Sequence, residues 1–151
     1  MSKQTKSRKN KRIRRNKSNK KRTSSNPVSK SHIVRVFFEM LNMVKLYHWK
    51  TRSYAQHKAT DELYAKLNEN IDKFVEVLLG KEESRIKMLE KQTRLLDETN
   101  VTEFKSRIYE YRAFLQDMNL YLDNKKDSDL LSIRDDILVD INQFLYLMTF
   151  N

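Results

Sequence analysis

The chain has no cysteine, one glycine and one proline in 151 residues. Without cysteine, disulfides and thiolate metal sites are excluded. Gly80 and Pro27 alone cannot punctuate a β-rich fold, which needs a turn former every ~8–12 positions. No apolar run approaches the ~18 residues of a membrane span. The basic N-terminus is followed by no apolar stretch, so it is not a secretory signal. No membrane association is expected, and the chain is expected inside a cell, in cytoplasm or nucleoid.

Acid is also missing from the first part of the chain, where the earliest acidic residue is Glu39. Residues 1–22 hold 12 of the 31 Lys+Arg, and the remaining 19 bases meet 20 acids. A near-neutral body thus carries a +12 tail. With so few apolar residues the tail cannot bury a core and is expected to be disordered when free. Its Lys3, Lys6, Arg8, Lys9, Lys11, Arg12, Arg14, Arg15, Lys17, Lys20, Lys21 and Arg22 suit a polyphosphate. Counterion release makes such binding steeply salt-dependent. No aromatic is present to stack on bases, so DNA or RNA would be held without sequence preference. An import signal, or an acidic lipid or protein partner, is the rival reading. The tail and a polar hinge occupy 1–29, and a folded body 30–151.

Over the whole chain, 34% charged and 38% apolar residues fit amphipathic helices with solvated outer faces. Four segments carry a helical period and none alternates like a strand. The first starts at Ser29 or Ser31, with Ile33, Phe37, Leu41 and Val44 inward. The second runs from Ser53 to Leu79 over Leu63, Leu67, Ile71, Phe74 and Leu78, with Gly80 as the left-handed C-cap. The third starts near Thr102 and carries Phe104, Ile108, Tyr111, Leu115, Met118 and Leu122. The fourth starts near Asp127 or Ser128, with Leu130, Ile137, Ile141, Phe144 and Met148. Residues 81–100 are too many for a structureless loop. The spacing of Ile86, Leu89, Thr93 and Leu96 predicts a short extra helix there. Hairpin, long crossover, hairpin is a known four-helix-bundle topology.

The second segment also carries His57, Asp61, Asp72 and Glu76. At 100° per residue these fall at roughly 0°, 40°, 60° and 100°, one stripe beside the core face. His57 and Asp72 lie ~22 Å apart along the helix, beyond the reach of one metal. Two copies packed antiparallel would bring His57 and Asp61 of one against Asp72 and Glu76 of the other, with two equivalent sites per pair. His48 could add a ligand from the end of the first segment. Imidazole with carboxylate suits iron, manganese or zinc. Solvated surface acids are the plain alternative. His32 lies away from this cluster and is assigned no role.

The run LYHWKTRSYAQHKATDELYAKLNENIDKFVEVLLG resembles the signature of the Dps-type mini-ferritins. The matching positions are His48-Trp49, His57, Asp61, Asp72, Glu76 and Leu79-Gly80, and the likeness covers roughly residues 30–151. The resemblance implies an all-α, ferritin-like antiparallel four-helix bundle in a hollow homo-oligomer, a dodecamer. It implies a ferroxidase with a non-haem mono- or di-iron site between subunits, using peroxide or oxygen, and a DNA-gathering basic arm. Trp49 would guard the site against radicals, or else simply cap the core. Only eight residues separate His48 from His57, about three fewer than the family has, and no glycine stands in that corner. The Lys/Asn-rich composition and short corner are similar to Dps-like proteins of large DNA viruses, which would place the protein inside a virion. The competing function is a nucleic-acid-condensing structural protein on the same scaffold, or a helical assembly module with a localisation tail.

Overall fold

A computed structural model describes residues 28–87, 92, 95–98 and 100–150. The described residues form four α-helices and no strand: α1 (Lys30–Lys50), α2 (Tyr54–Lys81), α3 (Val101–Asp117) and α4 (Ser128–Leu147). A single 3-10 turn, Met118–Leu120, follows α3. Ser29 caps α1 through His32 N, Ser53 caps α2 through Gln56 N, and Asn100 caps α3 through Glu103 N. Each cap satisfies one of the amide donors that a helix start leaves unpaired.

The apolar stripes pack together as the periodicity predicts. Phe37, Leu67, Phe74, Phe104, Ile108, Leu115, Ile137 and Ile141 are almost wholly buried. Helix α2 packs between α1 and α4, and α3 closes the square against the same two helices. Helices α2 and α3 therefore lie on a diagonal. At one end of the bundle Lys30 pairs with Glu82, and Lys81 with Asp127 and Asp129, so the starts of α1 and α4 meet the end of α2. At the other end Tyr47 stacks on Phe104 with ring centroids 3.9 Å apart, and Lys50 pairs with Asp97. The connection from α2 to α3 thus runs the length of the bundle, and each hairpin is antiparallel.

Three local expectations are corrected. Ile86 and Leu96 are not helical, and no helix is found among the described residues of 82–100; Leu89 and Thr93 lie outside them. Gly80 is not the left-handed cap; it stays helical. Glu83, at φ 46°, takes that conformation. Ser84 N donates to Leu79 O at 3.2 Å and Glu83 N to Gly80 O at 3.3 Å, the paired bonds of a Schellman cap. Finally, α3 stops at Asp117, which leaves Leu122 half-buried beyond the helix. Buried Arg134 explains the stop. Its guanidinium donates to Leu115 O at 2.8 Å and to Asn119 Oδ1 at 2.9 Å, filling acceptors at the end of α3.

The basic residues from Lys3 to Arg22 lie outside the described residues.

Candidate metal centre

The corner between α1 and α2 is only three residues long, 51–53. Thr51 N donates to Tyr47 O at 2.9 Å, closing α1. Gln56 ties the corner from the other side: its Oε1 accepts from the Tyr47 hydroxyl at 2.8 Å and from Thr51 Oγ1 at 2.7 Å. Burial pushes the Tyr47 phenol above its ordinary range, against the opposing hydrogen bond with Thr51.

Across this corner His48 and His57 stack face to face, with ring centroids 3.9 Å apart and planes 22° from parallel. His48 Nδ1 donates to His57 O at 3.0 Å, and His57 Nδ1 donates to His48 O at 3.0 Å. A carbonyl can only accept, so both rings carry their proton on Nδ1 when neutral, and both Nε2 atoms keep a lone pair. The same partnership with a backbone carbonyl orients metal-ligating imidazoles generally. Buried Thr60 lies beneath: its Oγ1 is 3.3 Å from His48 Nδ1 and donates to Gln56 O at 2.7 Å.

Asp61 reaches the pair from one turn along α2. Its Oδ1 is 3.8 Å from His48 Nε2 and 3.8 Å from Lys45 Nζ. His48 is buried, whereas the Asp61 side chain is 57% exposed, so the group opens outward. A lone pair facing a carboxylate at that distance leaves room for a metal ion between them. One ion at ~2.1 Å from each atom could touch both. It could not also take His57 Nε2 without one ring turning, because stacked rings direct their lone pairs in separate planes.

Of the sequence-expected ligands, the structure brings His48, His57 and Asp61 together. Asp72 and Glu76 stay apart and exposed, ~16 Å and ~22 Å along α2 from Asp61. Among the described residues, no group of three or more metal-ligand side chains within one chain is positioned to hold an ion. Asp72 lies on the rim of an apolar groove between α1 and α2, lined by Val34, Phe38, Leu41, Ile71, Val75 and Ile86. Trp49 does not cap the core: it is 68% exposed, with Lys45 Nζ 5.9 Å from its ring centre.

Three residues of the corner were not singled out from sequence. Lys45 lies one turn before Trp49, over the Tyr64 ring at 4.7 Å as well as beside Asp61. Thr60, three positions after His57, could have been flagged as a hydroxyl on the inward side. Gln56 gave no signal. His32 is half-buried against Phe114 and Arg35, away from the pair.

A family model described as "Family of unknown function (DUF5856)" matches residues 48–148, beginning at the first histidine of the pair. No curated protein and no solved structure matches the chain.

Proposed function

The chain belongs to the DUF5856 family, a family of unknown function, and from the geometry above we propose that it is a Dps-like mini-ferritin. In this reading it takes up and oxidises Fe(II) at sites shared between copies, stores the ferric product in a hollow homo-oligomer, and gathers nucleic acid with residues 1–22. The observation that carries it is the histidine pair. Each Nδ1 is committed to a backbone carbonyl, each Nε2 keeps its lone pair, and one of them faces the Asp61 carboxylate.

Two further features support it. A hairpin, a crossover along the whole bundle and a second hairpin resemble the ferritin-like arrangement. The groove beside Asp72 offers apolar area on the face where an antiparallel second copy would bring Asp72 and Glu76 to the histidines. Two Fe(II) ions would each give one electron to hydrogen peroxide, which takes two protons and leaves as two waters. Carboxylates suit the ferric product better than imidazole does. Asp72 and Glu76 of the second copy would therefore hold the oxidised ion, while the histidines admit the ferrous one. Exposed Trp49, beside Lys45, is positioned to intercept stray radicals before they reach the core.

One observation favours a second reading. The reciprocal histidine bonds also staple a corner that has no glycine to relax it, which a structural, nucleic-acid-condensing scaffold would need equally. Fe(II) and peroxide mixed with purified protein decide between the two. Ferric absorbance is expected from the wild type and not from Asp61→Ala; silence from the wild type supports the scaffold reading.

A further inference from the structure

The outward face of α4 is acidic and aromatic, and its own helix supplies one cation to it, Arg134 beside Asp135. From Ser128 to Leu147 the helix holds Asp129, Asp135, Asp136 and Asp140 against one base, Arg134, whose guanidinium reaches under the end of α3 while its Nε pairs with Asp135 at 2.8 Å. Asp129, Asp135, Asp136, Val139 and Tyr146 fall within a ~120° outward stripe of the helix. Val139 is 64% exposed and Tyr146 63%, and Tyr146 meets Phe150 edge to face at 5.1 Å. The helix dipole accounts for an acid in the first turn, which is Asp129 alone. Asp135 and Asp136 lie about two turns in. Cations from neighbouring elements reach only part of this face. Lys81 pairs with Asp129, Lys66 approaches Asp140, and Arg112 of α3 donates to Asn142. Asp136 has no ion-pair partner among the described residues.

We propose that this face is a docking surface for the chain's own basic segment, residues 3–22. Charge is the first argument: twelve Lys and Arg with no acid meet a helix face that is acidic and only partly neutralised, with Asp136 left without an ion pair among the described residues. The aromatic half adds cation–π partners for arginines and lysines. Where the segment joins the body is the second. Lys30 contacts Glu82 and Ser84 while Lys81 contacts Asp127 and Asp129, so the segment meets the bundle at the end where α4 begins. Reach is the third. Twenty-two residues can span up to ~70 Å, and a twenty-residue helix is ~30 Å long. Many weak contacts on a tethered segment are reinforced by its high local concentration.

Docking of this kind holds the basic segment back from casual anions. It yields to a polyphosphate, whose charges are spaced ~1.7 Å apart along a duplex. That second step rests on the proposed nucleic-acid role of the segment; the docking itself does not.

The test is zero-length carbodiimide cross-linking of the full chain at low salt, with the linked peptides identified by mass spectrometry. Lysines between Lys3 and Lys21 are expected to join Asp135 and Asp136. The yield should drop several-fold at about 0.5 M salt, where charges are screened within ~4 Å, and also in Asp136→Lys. Added duplex DNA should compete the links away if the nucleic-acid role also holds. Links spread evenly over Glu62, Glu76 and Glu110 would overturn the proposal. So would links from α4 to body lysines of another copy, or no links at all. The wild-type map and its salt dependence stand even if the substituted chain folds poorly. Neither iron nor nucleic acid is needed for the cross-link, so its outcome is separable from the iron reading.

Discussion

His48 and His57 each donate a ring proton to the other's backbone carbonyl, both at 3.0 Å, across a three-residue corner. The arrangement does two things at once, and a well-chosen substitution separates them. The Asn side-chain amide can occupy the place of Nδ1–H but has nothing at the place of Nε2. His57→Asn should therefore fold with stability close to wild type and lose Fe(II) oxidation. His57→Ala should lose both, with stability down by about 1 kcal/mol for the missing hydrogen bond. His48→Ala should cost more, about 2 kcal/mol, because His48 is buried and its loss also opens a cavity. Urea melts beside a ferric-absorbance assay measure both quantities. Full activity in His57→Asn would reduce the pair to a staple.

A site shared between antiparallel copies predicts a specific complementation. His57→Asn/Asp61→Asn destroys one half-site, and Asp72→Asn/Glu76→Gln destroys the other. Each double variant alone should be inactive. Unfolded together and refolded as a mixture, half of the pairs are mixed, and each mixed pair regains one intact site. About a quarter of wild-type oxidation should return. If each double variant is inactive and the refolded mixture stays so, Asp72 and Glu76 do not complete the histidine site of another copy.

The end of α2 offers a stability prediction that is independent of function. Gly80 lies in the helix with nothing within 4 Å of where a Cβ would stand, so Gly80→Ala should stabilise by about 0.5–1 kcal/mol. Glu83 holds φ 46° without glycine's freedom, so Glu83→Gly should stabilise too, by less than about 1 kcal/mol because the unfolded chain also gains entropy. Thermal midpoints of the two single variants and the pair check this. A loss of stability in Gly80→Ala would mean that another chain covers that position.

These details mark how far the sequence could be read. The order and inward faces of the four long helices were legible because Leu63, Leu67, Ile71, Phe74 and Leu78 repeat at 3.6 residues and because Ser53 has one reasonable use where it stands. The helix ends were less so. A glycine near a helix end suggests a left-handed cap, but the chain runs one turn further and bends at Glu83. Arg134 interrupts the apolar repeat of α4 and reads as surface, although it caps α3 from within. The nearness of His48, His57 and Asp61 could be guessed from a short corner. The reciprocal bonds could not, since they depend on the mutual approach of two helix ends. Asp72 and Glu76 were identified as a stripe, yet a stripe says nothing of what lies opposite it.

Two tyrosines provide the remaining test. The hydroxyls of Tyr111 and Tyr121 are buried without a hydrogen-bond partner among the described residues. Burial raises both phenols above their ordinary 10.0, with nearby carboxylates adding to it; Tyr121 is pushed up to about 12 and Tyr111 further. The charged form is the one that burial disfavours, so the fold binds these protons more tightly than the unfolded chain does. Their contribution is complete below pH 10 and drains away as pH rises through about 12. Wild type should accordingly unfold in that alkaline window, with tyrosinate absorbance appearing together with the loss of helix. Tyr111→Phe and Tyr121→Phe remove the titrating group and an unpaired hydroxyl. Each should be as stable as wild type or about 1 kcal/mol more so at neutral pH, and should keep its helix to higher pH. The Lys81–Asp129 pair weakens over the same range in every variant, so the comparison between variants isolates the phenols. Circular dichroism against pH decides it. An alkaline midpoint unmoved in both variants would mean that the hydroxyls are hydrogen-bonded in solution, to water or to a neighbouring copy.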